Sequence, residues 1–197
     1  MSKLYRFSFL LAVFLLSFSG FVRATLVMPM NIEQIAGDAE CIIKFTVTDK
    51  RTLLDTEESG KIATYYTGHV TDWLKGTPTQ DNELVFKQIG QGEYTVDGKA
   101  IRQQFFFPEY EVGKTYVLFL PQAHEKTGLL APVGLQQGVF EIKIVNGQEV
   151  VPQFKERART LQKGLSVAKS KFLTTKIQGA TTDNSYETFK TTIQNAF

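Results

Sequence analysis

The clearest periodicity in the chain has a step of two. Ile43, Phe45 and Val47 point one way and Lys44, Thr46 and Thr48 the other, which predicts a half-buried strand. Residues 63–74 are rich in Thr, Tyr and Val and close on Lys75-Gly76, which predicts a second strand. Pro78 and Asp81-Asn82 mark a turn, and residues 83–89 read as a third strand stopped by Gly90-Gln91-Gly92. Asp97-Gly98 signals a hairpin and is followed by the triplet Phe105-Phe106-Phe107. Residues 114–120 are apolar enough for a strand buried on both faces, ended by Pro121. Residues 134–145 give another strand, with Phe140, Ile142 and Ile144 on one face. Asn146-Gly147 then predicts a type I′ hairpin returning through residues 149–151 to Pro152. Ahead of all these, Asn31 is placed to cap a helical turn carrying Ile32, Ile35 and Ala36, ended by Gly37-Asp38.

After Phe154 the period changes to that of a helix. Leu161, Leu165, Ala168 and Phe172 recur at helical spacing among lysines, interrupted by Gly164. Asn184 with Glu187 three residues later is a capping-box variant, and Tyr186, Phe189, Ile193 and Phe197 make an apolar stripe beyond it. These patterns predict a mainly β protein. Residues 25–154 form a small OB-like β-barrel, with a β-sandwich as the alternative, and begin with a short N-terminal helical turn. Residues 155–197 form a basic amphipathic segment and a C-terminal helix packed on the barrel.

The first 24 residues carry a different pattern. Lys3 and Arg6 precede an apolar run over residues 7–18, and Val22-Arg23-Ala24 offers small or apolar residues where a signal peptidase reads. The run is shorter than the roughly 20 residues a membrane-spanning helix needs. The expectation is a secretory signal cleaved between Ala24 and Thr25, leaving a periplasmic or extracellular chain with no transmembrane helix.

Charge sharpens this picture. Lys and Arg number 22 and Asp and Glu 20 over the whole chain, but residues 1–24 hold three basic and no acidic residues. The remainder is therefore near neutral, and unevenly so. Residues 25–154 carry 11 basic against 17 acidic side chains. Residues 155–176 carry Lys155, Arg157, Arg159, Lys163, Lys169, Lys171 and Lys176 against Glu156 alone. An acidic body with a basic segment points to an anionic surface such as lipid head groups or lipopolysaccharide. The same basic residues laid across the acidic body would instead neutralise it. Nucleic acid is disfavoured, because no stacking motif accompanies the lysines.

Catalytic chemistry finds little footing. The histidines are His69 and His124, no Gly-x-Ser-x-Gly elbow is present, and the single cysteine, Cys41, has no histidine near it in sequence. One cysteine excludes an internal disulfide. Asp55, Glu57 and Glu58 lack the spacing of a calcium loop, and the Glu109/Glu111 pair resembles an ordinary charged turn. No cofactor or metal is expected. Phe105, Phe107 and Tyr110 are the candidates for an aromatic platform.

Several stretches resemble one another's counterparts in uncharacterised secreted bacterial domains. Asp38-Ala39-Glu40-Cys41-Ile42-Ile43-Lys44-Phe45-Thr46-Val47 resembles their opening strand, and Thr71-Asp72-Trp73-Leu74-Lys75-Gly76 their second. The Pro108-Glu109-Tyr110-Glu111-Val112-Gly113 turn into the next strand and Gln137-Gly138-Val139-Phe140 resemble their later landmarks. The order is similar to the OB-like barrel of netrin and tissue-metalloproteinase-inhibitor modules. The resemblance covers framework positions over about residues 28–152 and implies fold rather than function. The inhibitors' N-terminal disulfide-bonded cysteine has no counterpart at Thr25, so their inhibitory residues do not carry over. The expected function is that of a secreted, non-enzymatic binding module acting through the basic segment on an anionic surface or envelope partner. The alternatives are a protein-binding or protease-inhibitor-like module using barrel loops, and a hydrolase with an unfamiliar site.

Overall fold

A computed structural model describes residues 27–56, 61–78, 81–90, 92–96, 98–103, 107–179 and 182–197. The proposed leader, Thr25 and Phe105 lie outside the described residues. Among the described residues the first element is helix α1 (Ile32–Asp38), whose start is fixed by a capping box: the Asn31 carboxamide oxygen accepts from the Gln34 N–H, and the Gln34 side chain accepts from the Asn31 N–H. Strands β1 (Cys41–Asp55) and β2 (Lys61–Lys75) form a long antiparallel pair, followed by β3 (Glu83–Ile89), the hairpin β4 (Gly92–Val96) and β5 (Lys99–Gln103), and β6 (Thr115–Leu120). A 3-10 turn (Leu135–Gly138) leads into β7 (Val139–Val145) and the short β8 (Gln148–Val150). Four helices complete the chain: α2 (Pro152–Glu156), α3 (Ala158–Leu161), α4 (Val167–Gly179) and α5 (Tyr186–Gln194).

Six strands make one antiparallel sheet in the order β3-β2-β1-β6-β7-β8, with β4-β5 separate. The mainly β expectation holds in this coarse form. The sheet is not a closed barrel, because its edge strands β3 and β8 do not pair. Both edges have other partners. The outer edge of β3 meets Leu129 through a parallel bridge at Lys87, where the Leu130 N–H donates to the Lys87 carbonyl (2.8 Å). β8 lasts three residues before Val151-Pro152 turns the chain into α2, with proline at the first helical position, which its fixed φ suits.

The sheet divides the apolar interior in two. On one face Ile42, Val117, Phe119 and Phe140 pack with α1 and with Phe154, Leu161, Leu173, Ile177, Phe189 and Ile193 of the C-terminal helices. On the other face Ile43, Phe45, Tyr66, Phe86, Tyr110, Tyr116 and Leu118 form a second cluster. Alternation along β6 sends Val117 and Phe119 to the first and Tyr116, Leu118 and Leu120 to the second, so this strand is buried on both faces as its sequence predicts. Asn146 (φ 51°) and Gly147 (φ 77°) form the expected hairpin turn.

Three local expectations are corrected. The segment before Phe140 is not strand throughout: residues 135–138 are a 3-10 turn, entered through Gly134 and Leu135, both at positive φ (60° and 57°). The apolar stripe after Phe154 changes register. Gly164, at φ 73°, ends the α3 region and α4 starts afresh at Val167, so Leu173 and Ile177 are buried while Ala168 and Phe172 face solvent. The last helix is capped by Ser185 rather than Asn184, and Phe197 lies beyond its buried stripe, 45% exposed.

Gly68 on β2 shows how tightly the second cluster closes. The Phe45 ring lies across it, and a Cβ there would stand 2.1 Å from the Thr46 carbonyl oxygen and 2.6 Å from the Phe45 ring. Gly68→Ala is therefore expected to destabilise the protein by about 1–3 kcal/mol, the range for overpacked sites, read as a lower urea midpoint with unchanged slope.

Candidate ligand-binding groove

An apolar concavity lies where the N-terminal segment, the 3-10 turn and the α2-α3 junction meet. Its volume is about 480 Å³, and Met30, Ile35, Leu135, Arg157, Thr160 and Leu161 are among its lining residues. Gln137 builds one wall by holding the N-terminal segment along the turn. Its side-chain oxygen accepts from the Met30 N–H (2.7 Å) and its side-chain amide donates to the Met28 carbonyl (2.9 Å). Asn31 follows Met30 in the chain. While it caps α1, its amide donates to the carbonyls of Lys163 (3.1 Å) and Gly164 (3.0 Å), joining the start of the body to the break between α3 and α4. Beside it, Glu33 accepts from the Ser166 N–H (2.8 Å), and this hydrogen bond, foremost among its influences, lowers the Glu33 pKa.

Arg157 is the polar feature of the groove. It occupies the joint between α2 and α3, serving as C-cap of one and N-cap of the other. Its Nη1 donates to the carbonyls of Gln136 (2.9 Å), Gln137 (3.2 Å) and Val139 (3.4 Å), and its guanidinium lies 5.1 Å from the centre of the Phe140 ring. The left-handed pair Gly134-Leu135 turns the chain so that these carbonyls converge. Leu135 stores backbone strain there, of the order of 1–2 kcal/mol for a non-glycine residue in this region. Burial pulls the Arg157 pKa down, against the opposing charge of Glu156. Among the described residues no partner is found for its Nε or Nη2.

The seven basic residues expected to face a partner do not act alike. Arg157 is turned inward onto carbonyls, which corrects its assignment as a surface contact. Lys169 donates to the Ala196 carbonyl (2.8 Å) just beyond α5, favourable to the helix dipole, and Lys176 lies 5.6 Å from the Phe172 ring centre. Lys155, Arg159, Lys163 and Lys171 are exposed. Among the described residues none of the seven forms an ion pair. The acidic body is paired within itself instead: Glu149 with Lys44, Glu109 with Lys50, Glu111 and Glu141 with Lys114, Asp55 with Lys87.

The aromatic platform is also corrected. Tyr110 has 0% exposure and packs edge-to-face on Tyr66 (4.8 Å between centroids) and Tyr116 (5.3 Å); burial drives its hydroxyl pKa well up. Phe107 is half-buried and lines a second, smaller cavity of about 350 Å³ with His124. His124 Nδ1 is 3.1 Å from the Thr127 hydroxyl within a tight turn, and His69 stands exposed, 3.8 Å from Glu83. Cys41 is half-buried; burial, then the charge of Glu40, raises its thiol pKa. Among the described residues no group of three or more His, Cys, Asp or Glu side chains is arranged to hold a metal ion.

Gln137 does not stand out in the sequence as part of a groove. Only the turn residue Gly134 and the change of period after Phe154 hint that chain segments meet there. Compared with family models, curated proteins and solved structures, the chain matches none.

A polar cluster ties α5 to β1, β2 and β8. The Tyr186 hydroxyl donates to Asp72 Oδ2 (2.9 Å), Lys190 pairs with the same oxygen, and Lys44 bonds both Glu149 oxygens at 2.6 Å while lying 4.5 Å from the Tyr186 ring centre. Burial raises the pKa of Asp72, but the hydrogen bonds from Lys190 and Tyr186 and the nearby ammonium charges outweigh it, leaving a net lowering. A depressed carboxyl adds stability that is present above the unfolded value, about 3.9, and is lost as pH falls through the folded value. Asp72→Asn is expected to cost about 1 kcal/mol at pH 7, after allowance for solvent screening. The difference from wild type should shrink below pH 4, as followed by urea unfolding across pH.

Proposed function

We propose that the protein is an exported binding module that engages an anionic surface, of the kind presented by lipid head groups or lipopolysaccharide. The contacts are Lys155, Arg159, Lys163 and Lys171. The observation that carries this reading is the absence of ion pairs along the basic stretch among the described residues, while the carboxylates of the body pair with other lysines. Side chains that have no carboxylate partner and remain in water keep their charge available to a negative surface. Each contributes about 1 kcal/mol near such a surface, and salt screens the effect. Export rests on the charged start and apolar run of residues 1–24. We further read the sheet as a curled, OB-like one. The central place of β1 between β2 and β6, and the register shifts along β1 that sharpen its bend, support this.

Co-sedimentation of residues 25–197 with phosphatidylglycerol-containing and with purely phosphatidylcholine vesicles tests the surface reading. Binding is expected to the former alone, to weaken as salt rises, and to fall at least tenfold when Lys155, Arg159, Lys163 and Lys171 are all replaced by Gln. Equal binding to neutral vesicles, or a quadruple variant that binds like wild type, would remove the proposal.

A further inference from the structure

The groove beside Arg157 has a charge of its own to satisfy, apart from the basic surface. Its walls are largely apolar: Met30 and Ile35 on the N-terminal side, Leu135 on the turn, Leu161 on α3. Into this lining comes one guanidinium that makes no ion pair among the described residues. The way Arg157 is held leaves a specific part of it uncommitted. Nη1 is spent on three carbonyls, and Phe140 lies within cation–π distance of the guanidinium. The Nε and Nη2 donors remain, and these two lie side by side in the fork that receives a carboxylate through two parallel hydrogen bonds. A half-buried cation without a counter-ion in an apolar lining is costly to the free protein, and an anion that brings its own apolar body would relieve it.

We propose that this groove binds a single-chain fatty acid, with the carboxylate on the Nε–Nη2 edge of Arg157 and the acyl chain along Met30, Ile35, Leu135 and Leu161. The volume of about 480 Å³ falls within the range of small-molecule sites, about 300–1,000 Å³, and suits one chain rather than the two of a membrane phospholipid. Met30 supplies a flexible, polarisable wall that adapts to an alkyl chain. The site goes beyond the surface reading and uses none of Lys155, Arg159, Lys163 and Lys171.

The test is calorimetric titration of residues 25–197 with dodecanoate below its micellar concentration, beside dodecyltrimethylammonium, which has the same chain and the opposite charge. Dodecanoate is expected to bind one to one, and the cation at least tenfold more weakly. Arg157→Lys keeps the charge but loses the fork, and should weaken dodecanoate at least tenfold. Because Arg157 also ties down three carbonyls, Thr160→Trp serves as the second variant: it fills the groove and leaves every charge in place. Thr160→Trp should lose dodecanoate at least tenfold with its urea midpoint and vesicle binding retained. The proposal is overturned if wild type does not bind dodecanoate, if the two detergents bind alike, or if a folded Thr160→Trp binds as wild type does. It is equally overturned if the groove holds a second copy of the chain, seen as a dimer in sedimentation that Thr160→Trp dissociates and dodecanoate does not. The quadruple Gln variant should lose anionic vesicles and keep dodecanoate, so either reading can fail without the other.

Discussion

A sheet whose central strands are apolar on both faces must be covered twice. β6 and the first half of β1 impose that requirement, and the remainder of the architecture answers it. One cover is aromatic and draws on Phe45, Tyr66, Phe86 and Tyr116 of the sheet and on Tyr110. The other is helical, and no single segment supplies it. α1 comes from the start of the body and α2 to α5 from the end, and all of them meet on Ile42, Val117, Phe119 and Phe140. Burial of this extent is the main stabilising contribution available to a chain that cannot form an internal disulfide.

The same requirement decides what the basic segment is free to do. Its apolar positions, Leu161, Leu173 and Ile177, are used in covering the sheet, so its lysines are left at the periphery. Lys44, Lys50, Lys87, Lys114 and Lys190 pair with Glu149, Glu109, Asp55, Glu111 and Asp72, so these carboxylates of the body have cationic partners outside the basic stretch. Arg157 is the exception among the basic residues, because it falls at the joint of two short helices and faces inward.

How much of this was legible in the sequence depends on the range of the interaction. Features set by near neighbours read well: the Asn31 cap, the Asn146-Gly147 turn, the two-faced strand at residues 115–120, the stripe Tyr186-Phe189-Ile193. Features set by contacts across the chain did not. Nothing local marks Tyr110 as core rather than platform, since a tyrosine beside two glutamates suits either place until Tyr66 and Tyr116 are seen around it. Ala168 and Phe172 continue a helical period only if Gly164 leaves the helix phase intact, and its left-handed conformation resets it. Barrel closure failed to be legible for the same reason: whether β3 meets another strand or the Leu129 segment is decided by residues about forty positions away. The groove joins residues 30, 137 and 157, which no short window of sequence contains.

Asn31 carries a temporal consequence. Its carboxamide caps the first helix of the body and also grips the chain 132 and 133 positions later, and that first helix shares one buried cluster with Ile193 near the C-terminus. Synthesis proceeds from the N-terminus, so the earliest helix waits for the latest one before its apolar side is sheltered. Assembly of this layer is therefore post-translational and governed by distant contacts, the circumstance in which folding is slow and an emerging chain is most in need of a chaperone.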